Sequence, residues 1–451
     1  MQNLQFKGKL HFTFFLIMVL NWNSSISQNW IPLGVGTDNQ VRSLFADSVT
    51  NRLYVGGGQI QSAGGIPANG IASWDGLNWD SLGSGINSGN VLSMLRIGSD
   101  IIVCGAFTSA GNTNSNSIAK WNGLVWDSFP VRPNESIDFA KEINNQLCIG
   151  GTFTRAGNVP LHLFASWSGT NWVDYNLGID SNFIGGVFCF ELYKNNFYVG
   201  GNILFNPTSE MDILRWDSLN SYKMGAGIFG GLSEIATMAI FNDELYVGGY
   251  FRQIDGNVGN YIMKWDGVQW LDVGGGTNDH VTCMKVHGQY LYVAGVFTIA
   301  GGIPASHIAK WDGNSWSSLG SEIINNTITC MDFFNGELYI GGGFNYIDTV
   351  PIGYIAKYTG PVTVGDFAKP AFNFYLTHNP SNSILTVSFS SPAIQEGILT
   401  ITDASGMEQF RVLMPSQTLR KELDISELAA GIYFITLESE NRRVTKKFVK
   451  E

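Results

Sequence analysis

Ionisable side chains are scarce in this chain. Only 14% of its 451 residues are Asp, Glu, Lys or Arg, six are histidine, and the formal net charge is −11. The phosphate backbone of a nucleic acid would be repelled by such a surface, so nucleic acid is excluded as a partner. The histidines show no H-E-x-x-H spacing, and no G-x-S-x-G elbow or phosphate-binding glycine loop occurs. The sequence therefore predicts no catalytic residue, no resident cofactor and no metal site.

Long apolar runs are also lacking. The run near the N-terminus, Leu10–Leu20, has about 11 residues, whereas a bilayer-spanning helix needs about 20. Two lysines precede this run, and Ser25 and Ser27 stand at the −3 and −1 positions of a cut before Gln28. Residues 1–27 are therefore predicted to be a secretory signal peptide cleaved near Ser27–Gln28. No transmembrane segment is expected, and the mature chain should be secreted or displayed on the cell surface.

Cysteine is rare, and its number is odd. The five cysteines show no C-x-x-C spacing, which argues against both a zinc site and a redox dithiol. Cys189, Cys283 and Cys330 each follow a valine or isoleucine by two residues, at a position otherwise mostly occupied by small side chains. Buried free thiols acting as small apolar groups are favoured there. A Cys283–Cys330 disulfide is the alternative, and it requires Cα atoms within about 7 Å of each other.

Helical periodicity is absent, and an internal repeat takes its place. The unit reads L-Y-V-G-G-x-F, then A-G-G, then I-A-K-W-D-G-x-x-W, then L-G-x-G. It recurs about every 46 to 50 residues, a period typical of solenoids, propellers and arrays. The second glycine of the first block marks each copy: Gly57, Gly105, Gly151, Gly201, Gly249, Gly295 and Gly342.

Each repeat is predicted to form four short antiparallel strands joined by tight turns, the pattern of a β-propeller blade. The two tryptophans of each unit are expected to fill the gaps between sheets, since large rings bury about 150–250 Å² each. The array begins with a lone fourth strand at Trp30 and ends after a third strand at Gly360. We therefore predict an all-β chain with a seven-bladed propeller, residues 28–360, whose ring is closed by the N-terminal strand.

The repeated unit resembles two families. Its double glycine, downstream aromatic and following tryptophan are similar to kelch-type propeller repeats. The fuller unit resembles the repeats of the fungal cortical polarity-marker ectodomain and related bacterial proteins. The resemblance covers about residues 30–360 and implies the fold, but it implies no particular activity, because propellers serve as lectins, enzymes and scaffolds.

The remaining sequence predicts a linker, residues 361–372, and a small all-β sandwich domain, residues 373–451, built from alternating strands with Asx and glycine turns. This tail closely resembles the type A C-terminal sorting domain of the Bacteroidetes type IX secretion system. His378 departs from the family, which usually has proline there. The resemblance implies export across the outer membrane by the type IX machinery as partner. The residues that carry the motif are Asn379, Pro380, Asp403, Gly406, Gly431, Tyr433, Lys447, Phe448 and Lys450.

Carboxylates occur in six of the seven loops that join a fourth strand to the next first strand. Such loops cluster on one face of a propeller, where grouped acids can focus an electric field on a cation or amine. We therefore expect a ligand site there, with calcium as a conceivable ion, although scattered solvated acids would give the same pattern. The six are Asp38, Glu135, Asp180, Glu234, Asp279 and Glu322.

Three functions fit this sequence. The first is a secreted, surface-displayed binding module for a glycan or a protein. The second is a carbohydrate-active enzyme with paired carboxylates at the mouth of the channel, and the third is a structural spacer in the surface coat. Binding without turnover would indicate the binding module. Turnover that is lost on carboxylate replacement would indicate the enzyme, and neither binding nor turnover would indicate the spacer.

Overall fold

The structure is a computed structural model that describes most of the chain. The residues described are 29–179, 185–203, 212–224, 228, 234–360, 374–377, 383–389, 397–404, 406–415, 420–439 and 442–450. The predicted signal peptide, the linker at 361–372 and the Asn379–Pro380 pair lie outside them. Strands and turns make up the described residues, with one 3-10 turn at Gln253–Asp255 and no α-helix among them. The prediction of an all-β chain is therefore confirmed.

The repeats form seven antiparallel sheets, each with four strands in sequential order from first to fourth. We number the sheets 1 to 7 along the chain. Their strands are as follows: sheet 1, Val41–Asp47, Arg52–Gly57, Ile71–Trp74 and Trp79–Ser81; sheet 2, Ile86–Ile97, Asp100–Ala110, Ile118–Trp121 and Trp126–Ser128, with Thr113–Asn114 added at its edge; sheet 3, Ile137–Ile143, Gln146–Gly151, Phe164–Trp167 and Trp172–Asp174; sheet 4, Gly186–Tyr193, Asn196–Asn202, Ile213–Trp216 and Ser221–Lys223; sheet 5, Glu234–Phe241, Glu244–Tyr250, Ile262–Trp265 and Trp270–Asp272; sheet 6, Val281–His287, Tyr290–Gly295, Ile308–Trp311 and Trp316–Ser318; sheet 7, Ile328–Phe334, Glu337–Gly342, Ile355–Tyr358 and Trp30–Pro32.

Tight turns join the first and second strands. In sheet 3 the turn is Asn144–Asn145, with φ of 52° and 61°, as its sequence predicts, because Asn tolerates the left-handed region. In two other sheets the turn lies one residue away from the position that the sequence predicts. The turn of sheet 4 is Lys194–Asn195, and in sheet 6 His287 stays in the strand, where its ring stacks on Phe333 at 3.8 Å.

The A-G-G segment does more than turn the chain. In sheets 1 and 6 it forms the turn of a separate two-stranded hairpin between the second and third strands, and 156–158 of sheet 3 and 347–349 of sheet 7 do so at the equivalent place. The hairpins are Ser62–Ala63 with Ile66–Pro67, Arg155–Ala156 with Val159–Pro160, Ile299–Ala300 with Ile303–Pro304, and Tyr346–Ile347 with Val350–Pro351. Period-2 patterning over only two residues is too short to be recognised in a sequence.

The two glycines of the repeat have separate steric roles. A Cβ on the second glycine, such as Gly57, would overlap the backbone carbonyl of the residue preceding the first strand of its own sheet, here Gln40. A Cβ on the first glycine would instead meet the next sheet. At Gly248 it would lie 2.6 Å from Cγ1 of Val281. The first glycine therefore permits neighbouring sheets to approach closely.

The tryptophans lie between sheets, in agreement with the packing prediction. The two rings of each W-D-G-x-x-W segment pack together, with centroids 5.2 Å apart for Trp121 and Trp126. The second tryptophan also donates its indole N–H to a carbonyl of the preceding sheet's terminal loop, as from Trp126 to Leu82 at 2.7 Å. Four others do the same: Trp79 to Leu33, Trp172 to Val131, Trp270 to Met224 and Trp316 to Val273.

The N-terminal strand Trp30–Pro32 pairs with Ile355–Tyr358 and supplies the fourth strand of sheet 7, as the incomplete terminal repeats predict. Sheets 7 and 1 are in contact. The Thr329 hydroxyl donates to the carbonyl oxygen of Val41 at 2.7 Å, and the Ala46 N–H donates to Asp332 at 2.9 Å. These bonds join residues almost 290 positions apart in the sequence.

All five cysteines are free thiols, four of them buried and Cys283 half-buried. Burial raises the pKa of Cys148 and of Cys283 to about 12, because a thiolate would lose its hydration there. The structure thus agrees with the interpretation of the cysteines as small apolar groups, and the Cys283–Cys330 disulfide is absent.

The described part of the tail forms two sheets. One has the strand order Phe374–Thr377, Ile384–Phe389, Arg420–Asp424, and the other Glu408–Met414, Gly397–Asp403, Gly431–Ser439, Arg442–Lys450. Their apolar faces share one core that includes Leu385, Leu399, Ile435 and Phe448. This core is separate from those of the seven repeat sheets.

Candidate functional site

One cavity of about 570 Å³ is lined by the first strands of all seven sheets. Consecutive first strands contact one another, and the first strand of sheet 7 contacts that of sheet 1. Lining residues with charged side chains include Arg42, Asp138, Lys141 and Glu191. We call this cavity the central channel, and its loop end is the end at which the first strands begin.

Charged side chains away from the loop end pair across neighbouring sheets. Arg96 of sheet 2 forms a bidentate contact with Asp47 of sheet 1, with both N–O distances 2.7 Å. Lys141 pairs with Glu191 from sheet 3 to sheet 4, and Lys285 reaches Asp332 at 2.7 Å from sheet 6 to sheet 7. These groups join sheets and are not available as a ligand set.

The pKa of Asp47 reflects this pairing. Its side chain is 2% exposed, and burial by itself would raise the pKa of the carboxyl group. Hydrogen bonds from Arg96 and Thr50 outweigh burial and lower the pKa to about 2. Asp138 shows the opposite balance, because burial raises its pKa and the hydrogen bond from Ser136 offsets only part of the effect.

The six predicted loop carboxylates do not share one environment. Asp38 is exposed, and its Oδ1 accepts the N–H groups of Gln61 and Ser62 at 2.9 and 3.1 Å. Asparagine does the same three residues before the first strand of other sheets, for example Asn278 toward Thr298 and Ile299. Asp38 thus holds its loop to the hairpin beside it. Glu135 is exposed, and Asp180 lies outside the described residues.

Glu322 also binds the chain itself. It is 7% exposed, and its carboxylate accepts the backbone N–H of Asn29 at 2.6 Å and that of Ser321 at 3.0 Å. Burial favours the neutral acid, but these hydrogen bonds outweigh burial and keep the pKa of Glu322 below its ordinary value. This side chain therefore secures the N-terminal strand in sheet 7.

Glu234 and Asp279 are brought together with groups that the sequence did not single out as a site. Glu234 Oε1 lies 3.3 Å from His280 Nε2, across the boundary between sheets 5 and 6. The ring of Tyr250 meets that of His280 at 5.8 Å and that of Tyr261 at 5.9 Å, both edge-on. We call Glu234, Tyr250, Tyr261, Asp279 and His280 the sheet 5–6 cluster.

The electrostatics of this cluster are unusual for the loop end. Burial lowers the pKa of His280 and outweighs the attraction of Glu234 and Asp279, which would raise it. Burial also raises the pKa of Tyr261, and the charge of Asp279 adds to the shift. His280 Nε2 is buried and, although 3.3 Å from Glu234 Oε1, makes no hydrogen bond within the described residues. A sequence signal existed, since the position equivalent to Glu234 and His280, whose carbonyl lies against the second glycine, is neutral in the five other sheets: Gln40, Asn90, Ser136, Gly186 and Thr327.

A metal-binding role gains no support from the geometry. In the ranges that the structure describes, no group of three or more His, Cys, Asp or Glu side chains could hold one ion. Calcium binding at the loop carboxylates therefore stays a prediction. Nor does any described helix have the length and apolar character to cross a membrane.

Several predicted motif residues of the tail have structural roles. Asp403 accepts the backbone N–H of Met407 at 3.0 Å, and Gly406 supplies the positive φ of 87° that this turn needs. The Tyr433 ring stacks on the buried ring of Phe448 at 5.6 Å. The remaining described ones are Gly431 and Lys447, which are exposed, and Lys450, which is largely buried.

Comparison with known proteins identifies the tail. Residues 378–451 match the family of the secretion system C-terminal sorting domain. These residues are therefore a sorting domain, which confirms the sequence prediction for the end of the chain and implies export to the cell surface. No curated protein matches the chain.

A solved structure is similar over most of the chain. It is the extracellular domain of a putative one-component system from B. thetaiotaomicron, with a TM-score of 0.43 and 14% sequence identity. The similarity covers 94% of this chain and 58% of that one, so the chain spans little more than half the length of the domain it matches.

Proposed function

We propose that this chain is a type IX-exported binding module in which the seven sheets form one closed, seven-bladed, kelch-like propeller. The observation that carries this proposal is the sorting-domain match at residues 378–451, because a tail read by an export machinery destines the preceding sheets for the cell exterior. The ligand of such a module is a glycan or a protein at the cell surface.

Ring closure is supported by contacts between sheets 7 and 1 that repeat those between consecutive sheets. The indole of Trp79 in sheet 1 donates to Leu33 beyond the last strand of sheet 7, just as Trp126 of sheet 2 donates to Leu82 beyond sheet 1. A Cβ on Gly341 would press on Val41 as one on Gly248 would press on Val281. An open stack would leave these groups of sheets 7 and 1 unpartnered.

A binding role is supported by the difference between the repeated strands and the variable loops. The repeated glycines and tryptophans pack the sheets, whereas the segments between second and third strands differ from sheet to sheet. Sheet 5 has a 3-10 turn at Gln253–Asp255 where four others have a hairpin. Variable loops on a repeated scaffold are where recognition usually resides.

Export is tested by removing the tail. In a cell with a type IX system, a chain lacking residues 373–451 should stay behind the outer membrane, while the full chain is exported. The same tail fused to an unrelated periplasmic protein is the matched test, and it should carry that protein out. Export of the truncated chain would show that the sorting assignment does not govern its route.

A carbohydrate-active enzyme is the second candidate. The observation that favours it is the 3.3 Å contact between Glu234 and His280, since a carboxylate beside an imidazole can transfer protons. A screen of polysaccharides for released reducing ends tests this candidate. Turnover that disappears in Glu234→Gln would establish it, and binding without turnover would leave the binding module.

A further inference from the structure

The sheet 5–6 cluster departs from the repeat at several equivalent positions at once. The residue whose carbonyl lies against the second glycine is Glu234 in sheet 5 and His280 in sheet 6, where the other sheets have neutral residues. The residue after the double glycine is Tyr250 in sheet 5, where the other sheets have Gly58, Ala106, Thr152, Asn202, Val296 and Gly343. Repetition of a residue indicates a role in the fold, so departures grouped in one place indicate another role.

The position of Tyr261 is set by the fold. Before each third strand one residue gives its carbonyl to the N–H of the second glycine, as Tyr261 does for Gly249 at 3.0 Å. This residue has a positive φ in sheets 1, 2, 3, 5, 6 and 7, at Gly70, Ser117, Leu163, Tyr261, His307 and Tyr354. The backbone of the repeat therefore fixes where the Tyr261 ring starts, and only the identity of the side chain is particular to sheet 5.

The polar atoms of the cluster are suited to hydroxyl groups. The Glu234 carboxylate can accept two hydroxyl protons, because the buried His280 Nε2, although 3.3 Å from Glu234 Oε1, makes no hydrogen bond to it. The tyrosines offer apolar ring surface together with phenolic hydroxyls. The rings of Tyr261 and His280 each meet the ring of Tyr250 edge-on and form a row, so the cluster lacks the enclosed cage of ring faces that holds an ammonium group.

The charges of the cluster restrict the chemical class of the ligand further. Glu234 and Asp279 contribute two carboxylates, and the nearby Arg252 is already held by Asp255 in a bidentate pair at 2.9 and 3.2 Å. Burial keeps His280 from acquiring a positive charge readily. Uronate, sulfate and phosphate groups would therefore meet repulsion from the two carboxylates.

We propose that the sheet 5–6 cluster is a binding site for a neutral oligosaccharide. The site lies where the first strands of sheets 5 and 6 begin, with Glu234 accepting sugar hydroxyl protons and Tyr250 and Tyr261 lying against the sugar ring. This inference rests on the proposed binding function and specifies its ligand class and location.

The test uses the full chain against soluble neutral glucans, mannans and galactans, with pectate, a sulfated galactan and chitosan for comparison. Calorimetry should detect binding to at least one neutral polymer and none to the anionic ones. Glu234→Gln should weaken that binding about tenfold or more, because a charge-assisted hydrogen bond is lost. A preference for pectate, the sulfated polymer or cationic chitosan would overturn the ligand class.

A glycine replacement separates binding from folding. Tyr261→Gly should remove the ring from the site and relieve the positive φ, but it also removes packing against a core, so its loss of stability should match that of the control while binding falls about tenfold or more. The matched control is Tyr354→Gly, at the equivalent position of sheet 7 with φ of 66°, which should leave binding unchanged.

The outcomes distinguish this inference from the broader proposal. Neutral-glycan binding that survives both Glu234→Gln and Tyr261→Gly would refute this site while leaving the binding module intact. Binding to an isolated surface protein but to no glycan would refute the ligand class alone. Absence of binding to every polymer and to outer-membrane proteins of the cell would refute both.

Discussion

The contact between sheets 7 and 1 can be measured as the coupling energy between substitutions at Gly341 and Val41. An added Cβ at Gly341 would lie 2.5 Å from Cγ1 and 2.9 Å from Cβ of Val41, which is itself fully buried. Gly341→Ala should therefore cost about 1–3 kcal/mol through overpacking. Val41→Ala should cost about 2 kcal/mol through lost burial and a residual cavity.

The two changes should not add. Val41→Ala removes the nearest obstruction to the new Cβ, Cγ1 at 2.5 Å, so the double variant should be more stable than the sum of the two costs predicts, by about 1 kcal/mol. Urea unfolding of the full chain, followed by tryptophan fluorescence, gives the four free energies. Gly248 with Val281, at 2.6 Å between sheets 5 and 6, provides the positive control.

A second control tests whether any glycine in this segment is sensitive. A Cβ on Gly343 would approach nothing nearer than Gln40 Nε2 at 3.5 Å, so Gly343→Ala should be nearly neutral. If Gly341→Ala and Val41→Ala add within about 0.5 kcal/mol while the control pair couples, sheets 7 and 1 are not packed together in solution. The closed ring, and with it one central channel, would then be wrong.

Three further measurements test single features of the structure: one ion pair, one indole hydrogen bond and the state of the cysteines. The pKa of Asp47 near 2 lies below its value of about 3.9 in an unfolded chain, so its stabilisation is present above pH 4 and disappears between about pH 4 and 2. Arg96→Gln should therefore cost about 2 kcal/mol at neutral pH and shift acid unfolding, monitored by circular dichroism, to higher pH; an unchanged acid midpoint would contradict the pairing. Trp126→Phe should lose the indole bond to Leu82 and about 1 kcal/mol in urea unfolding, whereas an exposed Leu124→Ala change should cost almost nothing. Ellman's reagent should find five thiols in denatured protein and at most one that reacts readily in the folded protein, while three after denaturation would indicate a disulfide.

The amino-acid sequence alone was sufficient to predict the strands and the sorting domain. The glycine pairs, the tryptophans and the half repeats at Trp30 and Gly360 predicted four-stranded units and the pairing of Trp30–Pro32 with Ile355–Tyr358. Each of these signals is local or repeated seven times, so its physical cause can be inferred without coordinates. The sorting domain was recognisable because its motifs occur in order within about 80 residues.

The roles of the loop carboxylates could not be predicted in this way. Asp38, Glu234 and Glu322 look alike as acids in equivalent loops, yet one holds a hairpin, one lies beside a histidine and one secures the N-terminal strand. What a carboxylate does depends on which N–H groups surround it, and those come from other parts of the chain.

The sequence by itself determined that this protein consists of repeated antiparallel sheets followed by a sorting tail, because glycine sterics and strand periodicity act over a few residues. Only the tertiary structure decided that His280 of sheet 6 meets Glu234 and Tyr250, which face each other in the ladder of sheet 5. Proximity between sheets depends on how each sheet packs against the next, and no short-range pattern encodes it.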